Sequence, residues 1–486
     1  MPSVCRRMPY PCDTYRNKKQ YQGNINPQKG NCNMLKTFRI GGIHPKENKL
    51  TSQCPVTAIP VPRQVSLMLN QHIGAPANCI VKKGDTVKVG TLIAEANGFV
   101  SSNIHSPVSG TVSKIDKIAN AFGIYSQAII IDTEGDDWEE YIDRTPSLEK
   151  EIALSSNEII QKIAQNGIVG LGGATFPTHV KLTPPKEFKP TVLIVNATEC
   201  EPYLTDDHAL MLESPEQIII GCHILMKAIH VKQAYIGVEN NKRDAIALLK
   251  KQAEKYPGIE IVPLRTRYPQ GGEKQLIDAI LHKQVANGAL PVSTGAIVQN
   301  VGTAFAVYEA VQKNKPLVER IVTVTGDGVK QPGNYRIRLG MPIRELIEIA
   351  GGLPSDSAKV ILGGPMMGKA VSNLDAPIPK GCSGILILNE AHAHRSETSS
   401  CIRCGKCVSA CPMGLEPYLL AKLSENHLFE RAEKELITAC LECGCCAYSC
   451  PSNRPILDYI RIGKNAVNQI LSLIHISEPT RPEPIS

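Results

Sequence analysis

The stretch CIRCGKCVSACPMG (401–414) places cysteines at offsets 0, 3, 6 and 10 and follows the last with proline. CLECGCCAYSCPSN (440–453) repeats the pattern thirty-nine residues later. Three thiolates at i, i+3 and i+6 on a tight loop can face three irons of one cubane [4Fe–4S] cluster, while the fourth cysteine of each run ligates the other cluster. On this logic Cys401, Cys404, Cys407 and Cys450 hold one cluster, and Cys440, Cys443, Cys446 and Cys411 hold the second. Pro412 and Pro451 are expected to open helices, where a missing N–H costs nothing. Gly405 and Gly444 would let backbone N–H groups approach sulfur. Cys445 is spare, because only Cys446 keeps both intervals. A zinc ribbon would instead need two C-x2-C pairs and tetrahedral closure. Cys5, Cys12, Cys32, Cys54, Cys79, Cys200, Cys222 and Cys382 show no ligand spacing and read as core or tail thiols.

Between the two runs, EPYLLAKLSENHLFERAEKELITAC (416–440) is amphipathic and reads as helix. Residues 401–465 therefore read as a two-cluster, ferredoxin-like helical domain. The polar segment NEAHAHRSETSS (389–400) reads as a linker, and the linker region as a whole is set at 371–400. Residues 316–370 contain RIVTVTGDGVKQPGNYRIRLGMPIRELIEIAGG, a strand, a turn, a strand and a helix, which suggests a β-grasp-like module. Over 136–315, strand-like runs (TVLIVNA, QAYIGV, GIEIVPL, GAIVQNVG) alternate with helical stretches, the signature of an α/β domain. Over 34–135, CIVKKGDTVKVGTLIAE and IHSPVSGTVSKI read as hairpins of a small all-β unit. The fold class is thus multidomain, α/β plus β.

The chain has 486 residues, 42% hydrophobic and 20% charged, ordinary for a globular protein of several domains. Of the net charge of +7, residues 1–33 carry +5 and residues 471–486 carry −1, which leaves +3 for everything between. That balance gives no case for nucleic acid. No apolar run reaches 18 residues, so a membrane-spanning helix is not expected. Residues 1–33 are polar and aperiodic and are expected to be unstructured and not native, with Met34 a plausible start. LSLIHISEPTRPEPIS (471–486) breaks off a good helical pattern and reads as a scar. Tight metal-type spacing, with no secretory leader, points to a reducing compartment.

GIVGLGGATFPTHVK (167–181) is a glycine-rich loop whose N–H groups could cradle phosphate, but it lacks the G-x-G-x-x-G spacing. Its weight comes from order. GLGGATFPTHVK, LIVNATECEPYLTDDHALM (193–211), YPQGGEKQL (268–276) and IVQNVGT (297–303) resemble, in sequence, the motifs G-R-G-G-A-G-F-P-T-G-L-K, N-A-D-E-x-E-P, Y-x-x-G-E-E-x-x-L and V-N-N-V-E-T of the respiratory complex I flavoprotein subunit. The layout is closer still to the C subunit of the Rnf electron transport complex. That family combines TFRIGGIHP, a lipoyl-like barrel-sandwich domain, the complex I flavoprotein-like α/β domain, a β-grasp (SLBB-like) module, GGPMMG (363–368) and two ferredoxin motifs. The resemblance covers about residues 35–465.

The resemblance implies FMN and NAD(H) at Gly170, Gly172, Gly173, Phe176 and Lys181 of the flavin loop. It implies Asn196, Glu199 and Glu201 in an acidic loop near flavin and nicotinamide, Gly271 and Glu273 in the third motif, and Asn300 and Thr303 on the FMN phosphate side. Leu171, Thr175, Thr198, Gly272 and Gly302 depart from the complex I pattern. No acid–base side chain is assigned, since direct hydride transfer requires none. In the lipoyl-like segment VKKGDTVKVGTLIAEANGFVSSNIHSPVSGTV (81–112), Phe99 stands where carrier domains place a modified lysine, so a structural role is expected, packing on the flavin domain or a partner; His105 belongs to the β pattern.

The implied function is that of a peripheral oxidoreductase subunit at the cytoplasmic face of the bacterial inner membrane, within an ion-translocating complex of translocase type. It would move electrons between NAD(H), FMN and two [4Fe–4S] clusters, to or from ferredoxin or a ferredoxin-like subunit. The alternative is a non-enzymatic electron-relay and docking subunit without a working flavin site.

Overall fold

The structure is a computed structural model that describes residues 35–477. The expectations for residues 1–33, including Cys5, Cys12 and Cys32, and for 478–486 lie outside the described residues. The helix Ile456–Ser477 runs on into the segment set at 471–486.

Short β-branched runs punctuated by glycine fold the N-terminal region into two antiparallel sheets. One has the strand order Gln64–Met68, Tyr125–Thr133, Gly110–Ala119, Thr86–Val87. The other has the order Asn78–Cys79, Leu92–Glu95, Ile104–His105. Val65, Leu67, Ile129 and Ile131 point inward between them and are buried, as strand alternation requires. This is the expected barrel-sandwich. At its tip Phe99 is 59% exposed, yet its ring meets His179 edge-on at 6.1 Å. The Phe99 carbonyl lies 3.1 Å from His179 Nε2. The tip thus rests on the next domain, one of the two partners expected for it. His105 is buried, and burial pushes its ring down to about 3, so it stays neutral.

The α/β domain has four parallel strands in the order Ile259–Leu264, Ala234–Glu239, Val192–Ala197, Ala296–Asn300. All four coincide with runs read from the sequence. The chain steps outward from Val192–Ala197 to Ile259–Leu264 and then crosses back to Ala296–Asn300. Asn196 and Asn300 face each other in register at the carboxyl ends of adjacent strands, where the order reverses. Such reversals open a crevice in α/β sheets. Helix Pro215–Ala228 carries buried apolar residues nearly all round and crosses helix Val301–Gln312. The crossing is close because Gly221 meets the Ala304 carbonyl.

The six-stranded sheet of the third domain corrects one boundary. Its order is Val56–Ala58, Gly333–Arg338, Glu319–Gly326, Gly384–Asn389, Ser357–Leu362, Lys369–Ala370. Part of the expected 371–400 linker is therefore a central strand, Gly384–Asn389, paired parallel to Glu319–Gly326 and antiparallel to Ser357–Leu362. Its Ile385, Leu386 and Ile387 are fully buried. An edge strand also comes from Val56–Ala58, far upstream.

Lys380, in the same expected linker, is 1% exposed. Its Nζ donates to Asn103 O of the barrel and Gly167 O below the glycine-rich loop, both at 2.8 Å. Burial with no carboxylate contact lowers its pKa from 10.5 to about 7. The unfolded chain therefore binds this proton between about pH 7 and 10 while the folded chain does not, so stability rises with pH across that window. Lys380→Met is expected to flatten that rise. Denaturant midpoints of both proteins from pH 7 to 10 check it, and parallel curves would show that Lys380 does not cause it.

In the C-terminal domain the helix read over 416–440 is broken into Pro417–Glu425, Phe429–Lys434 and a 3-10 turn at Ile437–Ala439. His427 and Leu436 take the left-handed conformation at the breaks. Pro412 and Pro451 do not open helices. They sit in turns, with Gly414 and Asn453 left-handed in matching places, and helices begin later at Pro417 and Ile456. No helix among the described residues is long and apolar enough to cross a membrane.

Candidate functional site

The two cysteine loops are built alike. Arg403 and Gly405 in the first, and Glu442 and Gly444 in the second, are left-handed. Alternating hand in successive residues turns N–H groups inward and makes a nest for an anionic centre. In the second loop the Glu442 N–H donates to Cys440 Sγ at 3.3 Å, and the Leu415 N–H donates to Cys411 Sγ at 3.4 Å. Cys411, Cys440, Cys443 and Cys446 line one small cavity of ≈ 20 Å³ closed by Leu415, Leu420 and Ile460. Cys445 lines it too. Cys407 lies near Cys450, whose charge adds to burial in raising its thiol. The packing thus brings Cys411 beside the cysteines of the second run and Cys450 near Cys407. The two nests differ in exposure. Cys401 and Cys404 are exposed, while Cys411, Cys443 and Cys446 are buried.

A cleft of ≈ 410 Å³ opens at the sheet's switch point. Of the residues expected there, Gly170, Gly172, Phe176, Lys181, Asn196, Glu199, Glu201, Gly271, Glu273 and Asn300 line it. Gly173 and Thr303 do not. Gly173 is left-handed with open space where a side chain would stand, and Thr303 is fully buried beneath the loop, accepting the Leu171 N–H at 2.9 Å. Asn300 caps helix Val301–Gln312 through the Gly302 N–H at 2.8 Å and donates to Asp207 Oδ2 at 2.8 Å. Asn196 donates to Gly271 O at 2.8 Å. Lys181 and Glu273, expected separately, form an ion pair at 2.7 Å.

The acidic loop is held from beneath by two lysines that no local signal in the sequence singled out. Lys49 Nζ donates to the carbonyls of Glu199, Glu201 and Leu204 at 2.8, 2.9 and 2.6 Å. Lys242 Nζ donates to Thr198 O at 2.8 Å. Glu199 Oε1 accepts from the N–H groups of Asp207 and His208, which caps helix Asp206–Glu213. Asp206 and Asp207 also line the cleft. Burial, with Glu199 beside it, pushes Asp207 up to about 7, and burial pushes Asp206 well up despite Arg320 at 3.3 Å. Cys200, expected to be a bland thiol, lines the cleft and accepts the Gly271 N–H at 3.3 Å. Cys222 and Cys382 are core thiols as expected, with burial raising both.

The cleft fits a flavin nucleotide on three grounds. Its volume lies in the range of cofactor pockets. Gln299 Nε2 is buried at its wall without a hydrogen-bond partner among the described residues, which a bound polar group could satisfy. A Cβ on Gly172 would meet Asn300 Cβ at 3.3 Å, a tight contact, so glycine suits the loop there. The far wall of the same cleft is formed by Leu441 and Cys443 of the second cysteine loop and by Met367.

Four family models match in order: the RnfC barrel sandwich hybrid domain over 36–136, the Nuo51 FMN-binding domain over 163–309, the SLBB domain over 321–370 and the 4Fe-4S dicluster domain over 393–451. The C subunit of a proton-translocating ferredoxin:NAD(+) oxidoreductase complex from Clostridium ljungdahlii is 45% identical over 434 residues, 89% of this chain and 94% of that protein. The chain belongs to the C-subunit family of ion-translocating oxidoreductase complexes. A Na(+)-translocating relative from Acetobacterium woodii is 43% identical over 89% of this chain and 97% of its own length. The C subunit of an ion-translocating oxidoreductase complex from Rhodobacter capsulatus is 42% identical over 91% of this chain and 85% of its own. This family member therefore combines an FMN-binding domain with a 4Fe–4S dicluster domain.

The dicluster domain is seated by the N-terminal segment. The Gly42 N–H donates to Ala410 O at 2.9 Å, and Ile43 and Tyr268 exchange two backbone hydrogen bonds. A Cβ on Gly41 would stand 2.4 Å from the Cys411 carbonyl. Arg267 donates to Phe38 O at 2.8 Å and to Gly41 O, and its guanidinium stacks 4.4 Å from the Phe38 ring. TFRIGGIHP is thus a strap that ties the Ala410–Cys411 end of the first cysteine run to the flavin domain.

Proposed function

We propose that this chain is the NAD(H)-linked electron-entry or electron-exit subunit of a ferredoxin:NAD+ oxidoreductase complex that translocates ions. One observation carries the reading: Leu441 and Cys443 of the buried nest wall the flavin cleft, while Cys401 and Cys404 of the other nest face solvent. The order cleft, inner cluster, outer cluster and partner protein follows from that arrangement. Gly170, Gly172, Phe176, Lys181, Asn196, Glu199, Glu201, Gly271, Glu273 and Asn300 would line the flavin and nicotinamide site, with Gly173 in the loop beside it and Thr303 beneath the loop. Cys440, Cys443, Cys446 and Cys411 hold the inner cluster, and Cys401, Cys404, Cys407 and Cys450 the outer.

Bound FMN would supply the exchange between two-electron nicotinamide and one-electron clusters. The chain's own residues orient and support. Asn300 fixes the end of its helix, the Lys49 and Lys242 ammonium groups hold the acidic loop, and the glycine loop leaves room. Other subunits of the complex would hold the chain at the cytoplasmic face of the membrane, with a ferredoxin-type protein meeting the outer cluster. Anaerobically purified protein is expected to carry about one flavin and about eight irons, with an iron–sulfur band that bleaches on NADH addition. Eight irons without flavin, and no response to NADH, would leave an electron-relay subunit without a working flavin site.

A further inference from the structure

We infer that Glu201 and Tyr268 act together as a positioning clamp, holding the 363–368 loop and the Cys443–Gly444 turn as the wall between the flavin cleft and the inner cluster. Three segments distant in sequence meet there. The Glu201 carboxylate accepts the Met366 N–H at Oε2 (3.1 Å) and the Met367 N–H at Oε1 (2.8 Å). The buried Tyr268 hydroxyl donates to Cys443 O at 2.9 Å and stands 3.4 Å from Glu201 Oε1. A phenol has one proton to give, and the shorter contact takes it to the carbonyl of a cluster-binding residue.

The loop is shaped for this grip. A Cβ on Gly364 would lie 2.3 Å from Glu201 Oε2, so the carboxylate can keep this position only while residue 364 is glycine or the loop shifts. On its other side Met366 O packs 3.0 Å from where a Cβ on Gly444 would stand, and Arg461 donates to Met367 O at 3.2 Å. Glu201 is half-buried on the cleft wall, and both its oxygens are engaged by N–H groups of the loop, which offsets the cost of taking the carboxylate partly out of water. Met367, Glu201, Tyr268 and Cys443 all line the cleft. Groups of this kind, one bond removed from the ligands, fix orientation, and their loss commonly lowers function about 10- to 100-fold. For electron transfer the inference rests on the relay proposed above, one electron at a time crossing this wall.

The test uses full-length, cluster-loaded protein bearing Glu201→Gln, Tyr268→Phe or Gly364→Ala. Glutamine keeps the shape, but its amide nitrogen cannot accept an N–H. Phenylalanine leaves Cys443 O without its donor. Gly364→Ala pushes on the Glu201 carboxylate from the loop side and leaves both Glu201 and Tyr268 unsubstituted. Amide exchange in the peptide spanning 363–368 is expected to speed up about tenfold in Glu201→Gln and Gly364→Ala while other peptides stay protected. The EPR signal of the dithionite-reduced inner cluster is expected to shift in Tyr268→Phe, and NADH-driven cluster reduction to slow about tenfold in all three. Glu201→Asp is expected to restore part of the protection. Unchanged exchange together with an unchanged EPR signal would overturn the clamp. Wild-type protein whose clusters ignore NADH would overturn the relay instead, and the exchange and EPR measurements would still judge the clamp.

Discussion

Cys411→Ala is expected to abolish the cluster of the second cysteine run and spare the one whose three other thiolates precede it in its own run. Cys411 lies in the cavity with Cys440, Cys443 and Cys446, and their charges act on one another there. Cys407 faces Cys450 instead. Cys407 lies within the short helix Lys406–Ala410, and Cys411 follows directly at its end, in the cavity of the second run's cysteines. Iron should fall from about eight to about four per chain, the content of one cubane. The surviving EPR signal should be that of the exposed cluster. Because the lost cluster walls the cleft, NADH should no longer reduce the one that remains. Loss of the Cys401–Cys404–Cys407 cluster in this variant would mean that each run binds its own four-cysteine set.

Gly221→Ala should produce the largest loss of stability available from a single methyl group in the flavin domain. The added Cβ would stand 1.9 Å from Ala304 O and 2.7 Å from Ala304 C. Both are backbone atoms of helix Val301–Gln312, so no side chain can swing away. Overpacking of this kind typically costs about 1–3 kcal/mol. The helices must separate, and helix Val301–Gln312 takes with it Asn300 at its cap and Thr303, which pins the Leu171 N–H. Flavin retention should therefore fall together with the thermal midpoint, while iron content holds. Equal thermal midpoints for variant and parent would show that the crossing tolerates the methyl group.

The features legible in the sequence are those whose signal is local. Cysteine intervals, the glycine loop and the four apolar strand runs each lie within a few residues and carry their own periodicity. The neighbourhood of Cys411 with Cys440, Cys443 and Cys446 matches what the spacing led one to expect. The features that escaped depend on partners far away. GILILN (384–389) is apolar enough for a strand, but its parallel partner begins at Glu319 and nothing nearby marks it. Lys49 sits in a polar stretch, HPKENKL (44–50), that reads as a solvated loop, and its three acceptors are carbonyls some 150 residues on. Tyr268 and Cys443 meet across 175 positions. Pro412 and Pro451 misled for another reason. Proline is as much at home in a tight turn as at a helix start, and the left-handed Gly414 and Asn453 that follow select the turn.

The most direct test of the relay order is reduction by NADH in proteins that carry one cluster each. Cys401→Ser should leave only the inner cluster, and Cys443→Ser only the outer. Rapid-freeze EPR after mixing with NADH is expected to show the inner cluster reduced at the parent rate in Cys401→Ser, and the outer cluster left oxidised in Cys443→Ser. Prompt reduction of the outer cluster in the absence of the inner one would contradict the placement of the second nest between nicotinamide and the partner protein.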